Sequence, residues 1–493
     1  MGFRVRSFCV LAAAGLLALP GARPAVAQTA AQTGVGSRVT VSADPEVLAR
    51  SARDSRDAGD HAGAAEAFAE AGRALVLNHD AAGAAEAFTD AARSRLALGD
   101  VDGAYAVLAE AARRLEAAGP EAHGAAGRAT ASLARIRTNQ GRYAEALALL
   151  DRSEALGGDA LDGPGQAALA YDRARILDFL GRAEESEVHA RRALTLRREH
   201  LGEADSLTGD AQNQLAVSLQ AQGRYDEADR AYRGALTVYE AVNGPDHPHV
   251  AIALSNLGNI LRRRGREHAA EPVYRRAVRI AESSGDDELL AQCLTNLGWH
   301  LRMTGRSPEA DPVFRRAADL LVTVAGPDHP FTGIAFANLA LILGDQDRHA
   351  EAEPLFVQAL AALEPAVGTD SPDILATLDG YAHTLAKLDR KAEADAVYGR
   401  TLDIARSRLS PGHPEAMRQT VAVADFLLDD GRAAEARRHL DEAEAALFQR
   451  IGAATDPRAG ALRRTQALFE RQVRADWSLA HPARAENSLT PNP

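Results

Sequence analysis

An all-α solenoid is the fold class that the sequence predicts, on three observations. A turn residue recurs every 40 or 42 positions: Gly59, Gly99, Gly141, Gly181, Gly223, Gly265, Gly305, Asp347, Asp389 and Gly431. The 493 residues are 46% hydrophobic but only 5% aromatic, which suits helices whose core is built from Ala and Leu. Finally, whole phrases return. Asn256-Leu257-Gly258, Gly265-Arg266 and Ala270-Glu271-Pro272-Val273-Tyr274-Arg275-Arg276-Ala277 reappear as Asn296-Leu297-Gly298, Gly305-Arg306 and Ala310-Asp311-Pro312-Val313-Phe314-Arg315-Arg316-Ala317. A fixed period means that each unit is one supersecondary element whose apolar face is buried only by its neighbours.

In chain order, residues 1–27 read as a secretory signal. Arg4 and Arg6 precede the apolar run Phe8 to Leu19, and Ala25-Val26-Ala27 supplies a cleavage site, so an exported chain starting at Gln28 is expected, periplasmic or secreted from a bacterium. That run is shorter than the about 20 residues a membrane helix needs, and no other stretch is longer and as apolar. Residues 28–43 form a polar, flexible lead. Residues 44–200 hold short Ala-rich units with a beat of 20, seen in Gly59-Asp60, His79-Asp80 and Gly99-Asp100; one beat is a helix and a turn. Residues 201–450 hold the 42-residue units, with Leu156 to Gln166 a Gly-rich joint before them. Residues 451–481, with Leu462, Leu468, Phe469, Val473 and Trp477, read as a helix capping the open end, and 482–493 as a disordered tail.

Register inside a unit is strict. Seven residues before each turn stands a small residue, such as Ala216, Gly258, Gly298 or Ala340, and five after it usually stands Ala, such as Ala228, Ala270 or Ala310. These positions let the first helix of a hairpin (A) approach the second (B). Four residues further on, Phe68, Tyr232, Tyr274, Phe314, Phe356 and Tyr398 are expected to fill the gap to the next hairpin. Ser186 and Ala190 make the fourth hairpin the weakest match. Pro272, Pro312 and Pro354 share one place early in helix B, which implies either a late start or a kink.

The small pair, the turn, the Ala, the aromatic and a further Ala (Ala235, Ala277, Ala317, Ala359) resemble the tetratricopeptide repeat signature. Over about 200–450, with Gly244-Pro245-Asp246-His247-Pro248 and Gly326-Pro327-Asp328-His329-Pro330 between units, the chain resembles the repeats of kinesin light chain. The resemblance implies a right-handed α-solenoid of about ten helix-turn-helix hairpins. It is specific for fold and says little of function. The link Ser283 to Glu288 lacks the Asp-His-Pro box.

The formal charge of −12 argues against nucleic acid as a partner. With Cys9 in the signal, Cys293 is left as a single buried thiol. No Gly-x-Ser-x-Gly, His-Glu-x-x-His, phosphate loop or cysteine pair is present, so no enzyme, cofactor or metal is expected. His247, His329 and His413 each precede a Pro at a helix entry, where Asp246 and Asp328 are expected to cap. In tetratricopeptide repeats the A helices line the concave face. The resemblance therefore implies a peptide-binding wall of Asn213, Asn256, Asn259, Arg262, Arg263, Asn296, Trp299, Arg302 and Asn338, with Arg175 and His383 as outer members. Asn can bond an extended peptide backbone and Arg can fork a carboxylate, so an acidic protein or peptide segment is the expected partner. Arg275, Arg276, Arg315 and Arg316, on helix B, are expected to be solvated. A structural assembly subunit of an envelope complex, with no groove ligand, is the alternative.

Overall fold

The computed structural model describes residues 44–158, 161–410, 413–452, 470–476 and 479. The signal, the lead and the tail lie outside the described residues. Two compact units divide between Ser284 and Gly285, at the link without the Asp-His-Pro box. The N-terminal unit carries six helical hairpins. They are α1 Pro45–Asp57 with α2 His61–Leu77, α3 Ala81–Ala97 with α4 Val101–Ala117, and α5 His123–Asn139 with α6 Tyr143–Gly157, followed by α7 Gly163–Phe179 with α8 Ala183–Leu201, α9 Ser206–Ala221 with α10 Tyr225–Asn243, and α11 Pro248–Arg263 with α12 Glu267–Ser284. The C-terminal unit carries four: α13 Asp287–Met303 with α14 Ser307–Ala325, α15 Pro330–Gly344 with α16 His349–Val367, α17 Leu375–Lys387 with α18 Lys391–Arg408, and α19 Pro414–Asp429 with α20 Ala433–Gly452. No strand occurs among the described residues.

Every expected turn residue has positive φ, from 59° at Asp347 to 81° at Gly59. The left-handed conformation turns the chain at the end of helix A and satisfies two of its last carbonyls. At Gly223 the amide donates to the Gln220 carbonyl (3.0 Å) and the next amide, of Arg224, reaches back to Leu219 (2.9 Å). Asp347 and Asp389 build the same pair of bonds, showing that Asp adopts this backbone where Gly is absent.

The residue after the turn takes two forms. In the first two hairpins it is Asp60 or Asp100, whose carboxylate accepts from the amide of Gly63 or Gly103 and caps helix B. In the third to tenth it is Arg. Arg224, Arg348, Arg390 and Arg432 each fork a Glu three residues on and reach an acid on the preceding B helix: Glu187, Asp311, Glu353 and Asp395 respectively. Each link therefore ties one hairpin to its predecessor.

The small residues are where expected. Ala52, Ala134, Ala174, Ala216, Ala340, Ala382 and Ala424 are fully buried, as are Ala64, Ala104, Ala146, Ala228, Ala270, Ala310, Ala352 and Ala394 on the facing helices. The aromatics divide: Tyr274 and Phe314 lie against the small residue of their own A helix, whereas Phe356 and Tyr398 reach the next hairpin as expected, beside Tyr381 and Phe426. A Cβ on Gly258 would come within 2.6 Å of the Tyr274 ring, and one on Gly298 within 2.9 Å of Phe314. Phe356 lies 2.7 Å from a Cβ built on Gly380 in the next hairpin. Burying each such ring contributes about 1.5–3 kcal/mol.

Pro272, Pro312 and Pro354 lie inside α12, α14 and α16, which begin five residues earlier, so the helices do not start late. All three rings are exposed, on the side where water can meet the carbonyls they leave without a donor. In the Asp-His-Pro box the cap is His and not the expected Asp. His247, His329 and His413 are themselves the caps, each Nδ1 accepting from the amide two residues on at 3.2–3.3 Å, with Pro at the first helical position. At the C-terminal end, the helical residues 470–476 bury Ala475 in the core cluster of α19 and α20, and Arg471 pairs with Asp425. The rest of the expected cap lies outside the described residues.

Two predictions follow from this packing. Gly258→Ala should lower the melting temperature, because overpacking of about 1–3 kcal/mol exceeds the about 1 kcal/mol gained in helix propensity. Gly399→Ala on α18, where a Cβ meets nothing within 4 Å, should raise it. Thermal unfolding followed by circular dichroism checks both signs.

Burial lowers the pKa of His247 and of His329, so the folded state holds the neutral rings that capping needs. A depressed folded pKa leaves this contribution intact above the unfolded value of about 6.5 and removes it as pH falls below that through the folded value. His329→Asn keeps a cap that does not titrate. It should therefore flatten the loss of stability between about pH 7 and pH 5, measured by denaturant unfolding.

Candidate functional site

A solenoid of A and B helices presents one row of A helices to each groove, so the site is built from residues at fixed offsets before each turn. In the N-terminal unit, a cavity of about 340 Å³ lies along α3, α5 and α7, lined by Thr89, Arg93, Arg128, Arg135, Leu169 and Asp172 among others. Arg93 pairs with Asp90 on its own helix at 2.8 Å, and Arg135 lies 3.6 Å from the buried Asp172. Arg128 is exposed and makes no ion pair among the described residues.

The expected wall residues of this unit lie further along. Asn256 and Asn259 are buried, and Asn213 and Arg262 are half-buried. The Asn256 amide donates to Asn213 Oδ1 at 3.3 Å, and Asn259 Oδ1 accepts from the Tyr274 hydroxyl at 2.8 Å. Arg263 is half-buried, and Arg175 lies 5.9 Å from the Tyr171 ring.

In the C-terminal unit Asn296 and Trp299 are buried, Trp299 standing edge-on to Phe314 with ring centres 6.0 Å apart. Arg302 lies 5.0 Å over the Trp299 ring and forks Asp345 of the next hairpin at 2.6 and 3.0 Å. Asn338 is 1% exposed, and neither atom of its amide has a partner among the described residues. His383 is exposed, its ring 6.1 Å from that of His349. The structure thus engages several of these groups internally. The helix-B arginines Arg275 and Arg315 are exposed while pairing with Glu271 and Asp311, and the half-buried Arg276 pairs with Glu240.

Two polar clusters lie outside the expected wall. Tyr239 donates to Asp210 at 2.7 Å, beside His249 and Ser206. Ser206 Oγ and Asp210 Oδ1 approach the same ring nitrogen of His249, at 3.3 and 3.9 Å, whereas a Ser-His-Asp relay needs opposite nitrogens. The other cluster explains the irregular fourth hairpin. Ser186, in place of Ala, donates to the Ala174 carbonyl and touches Ser218 at 2.7 Å. Ser218 and Gln214 both donate to Asp178, whose other oxygen is buried without a partner among the described residues.

Sequence reasoning missed the cavity residues Arg93, Arg128, Arg135 and Asp172. A signal for two of them was present, since Ala92 and Ala134, both small register residues, are each followed by Arg.

Fold and groove together define an α-solenoid of helical hairpins, the class of protein that works as a binding surface. Family models described as tetratricopeptide repeat match residues 207–283, 250–321 and 331–407, with others at 129–162, 167–206 and 420–442. The chain belongs to the tetratricopeptide repeat family. It is 32% identical over 114 residues to mitochondrial tetratricopeptide repeat protein 19 from Homo sapiens, which is 23% of this chain and 29% of that protein. The chain thus spans less than a third of the length of that relative. Among solved structures, the apo form of the quorum sensor NprR from B. thuringiensis is similar in fold, with a TM-score of 0.52, 17% identity, and coverage of 73% of this chain and 98% of that one. TPR-like repeats of a kinesin light chain from Podosopora anserina are similar at a TM-score of 0.36 and 16% identity, covering 42% and 98%.

Burial raises the Asp178 pKa to about 7. A folded pKa raised above the unfolded value of about 3.9 means that stability from the protonated form is full below that value and is lost as pH rises through about 7. Asp178→Asn should accordingly melt above the parent at pH 8 and near it at pH 5, as a thermal scan at the two pH values would show.

Proposed function

We propose that this chain is an exported scaffold holding an extended segment of a partner protein in the groove of its A helices. The observation that carries the reading is the cavity along α3, α5 and α7, concave and lined by charged and small side chains. Family membership supports a protein as the partner, because these hairpins present surfaces and not chemistry. The Asn213, Asn256, Asn259 and Arg262 set would continue the contact within the N-terminal unit. Asn296, Trp299, Arg302 and Asn338 would offer a second set in the C-terminal unit, where an acidic ligand group competes with Asp345 for Arg302. Export rests on Arg4, Arg6, the apolar run and Ala25-Val26-Ala27.

The burial of Asn256, Asn259, Asn296 and Trp299 favours a second reading, a structural subunit of an envelope assembly that contacts partners through its outer faces. Site-specific photo-crosslinking in cells separates the two. A crosslinker replacing Thr89 in the cavity should give a partner adduct, whereas one replacing Val188, which is 65% exposed on helix B of the fourth hairpin, should not. Adducts from Val188 alone would establish the structural subunit instead. N-terminal sequencing from the exported fraction should read from Gln28; a cytoplasmic chain beginning at Met1 would overturn export.

A further inference from the structure

We infer that Arg53, Arg93, Arg135 and Arg175 form a ladder for an extended acidic segment that carries a carboxylate at every third residue. This deepens the groove reading and rests on it. Each of the four follows immediately on the small residue that faces helix B: Ala52, Ala92, Ala134 and Ala174. They occupy one register in α1, α3, α5 and α7, and equivalent positions in stacked repeats line up. The fifth and sixth hairpins have Val217 and Asn259 there, so within the N-terminal unit the row belongs to the first four.

Exposure and pairing leave Arg53 and Arg175 without a carboxylate among the described residues, and Arg135 with a distant one. Arg53, Arg93 and Arg135 are exposed and Arg175 is half-buried. Arg93 and Arg135 face the same cavity, together with Arg128, two helical turns before Arg135 on α5. Arg53, Arg128 and Arg175 make no ion pair among the described residues, and the Arg135 approach to Asp172 is long at 3.6 Å. Only Arg93 holds a close carboxylate, Asp90, which also attracts Arg56 from 3.7 Å. Four like charges set side by side repel one another until an anionic partner lies between them, and guanidinium forks carboxylate in two parallel hydrogen bonds.

Spacing then sets the period of the ligand. Packed helices lie about 8–10 Å apart, while an extended chain advances about 3.3 Å per residue. One rung therefore corresponds to about three residues, and four rungs to a segment of roughly ten.

The test uses the mature full-length chain and a fluorescein-labelled peptide of four Glu-Thr-Ser triplets, followed by anisotropy at about 50 mM salt, where surface charge is weakly screened. A second peptide has the same composition with its four Glu in one block. The triplet peptide should bind roughly tenfold tighter than the block peptide, and Arg93→Gln/Arg135→Gln should weaken it by roughly tenfold or more with an unchanged circular dichroism spectrum. Arg191→Gln, on the outer helix α8, should leave binding unchanged. Equal binding of the two peptides, or an unaffected double variant, overturns the ladder. A peptide with phosphoserine replacing Glu that binds where the Glu peptide does not overturns the carboxylate assignment. If the ladder fails while the Thr89 crosslink to the partner persists, the groove reading stands; loss of that crosslink in the unaltered chain removes both.

Discussion

The left-handed residue that ends each A helix is the constraint from which the remainder follows. It stops the helix at a fixed distance from the small residue seven positions earlier and starts helix B so that its own Ala, five positions on, faces the same spot. Because the turn amides also satisfy the last carbonyls, as Gly223 and Arg224 do for Gln220 and Leu219, the hairpin ends need no other chain to complete them. A side chain at these turns must tolerate positive φ, and the use of Asp at 347 and 389 shows the short list of residues that do.

Close approach at the small positions brings a second requirement, that buried polar groups near the interface find partners. Most hairpins set Ala or Gly against Ala, with Tyr or Phe filling the remaining space. The fourth hairpin meets the requirement with hydroxyls and an acid, Ser186, Ser218 and Asp178, and burial of the acid raises its pKa to about 7. Asn259 works similarly on a smaller scale, accepting from the Tyr274 hydroxyl.

Fold was legible because it is written in one dimension. Turn, small residue and aromatic recur at fixed offsets, and a repeated offset along a chain becomes a repeated position in space. What the sequence could not reveal is which of two adjacent polar groups takes a bond. Asp246 and His247 are both plausible caps, and only backbone geometry places the His ring, not the carboxylate, over the free amide. The candidate wall shows the same limit. Asn256, Asn296 and Asn338 share a register, yet their exposure depends on the side chains of neighbouring hairpins, which no offset encodes. Arg302 reads as an open cation until Asp345, 43 residues on, is seen to fork it.

The arginine after the turn of the later hairpins has a consequence for how such a chain can change length. Arg348 bonds Asp311 of the hairpin before it, and Arg390 bonds Glu353 in the same relation. A genetic deletion of residues 348–389 would join Asp347 directly to Arg390 and set that guanidinium opposite Asp311, where Arg348 had been. Donor and acceptor types match across the junction, so the loss of one 42-residue unit at this turn leaves the seam closed.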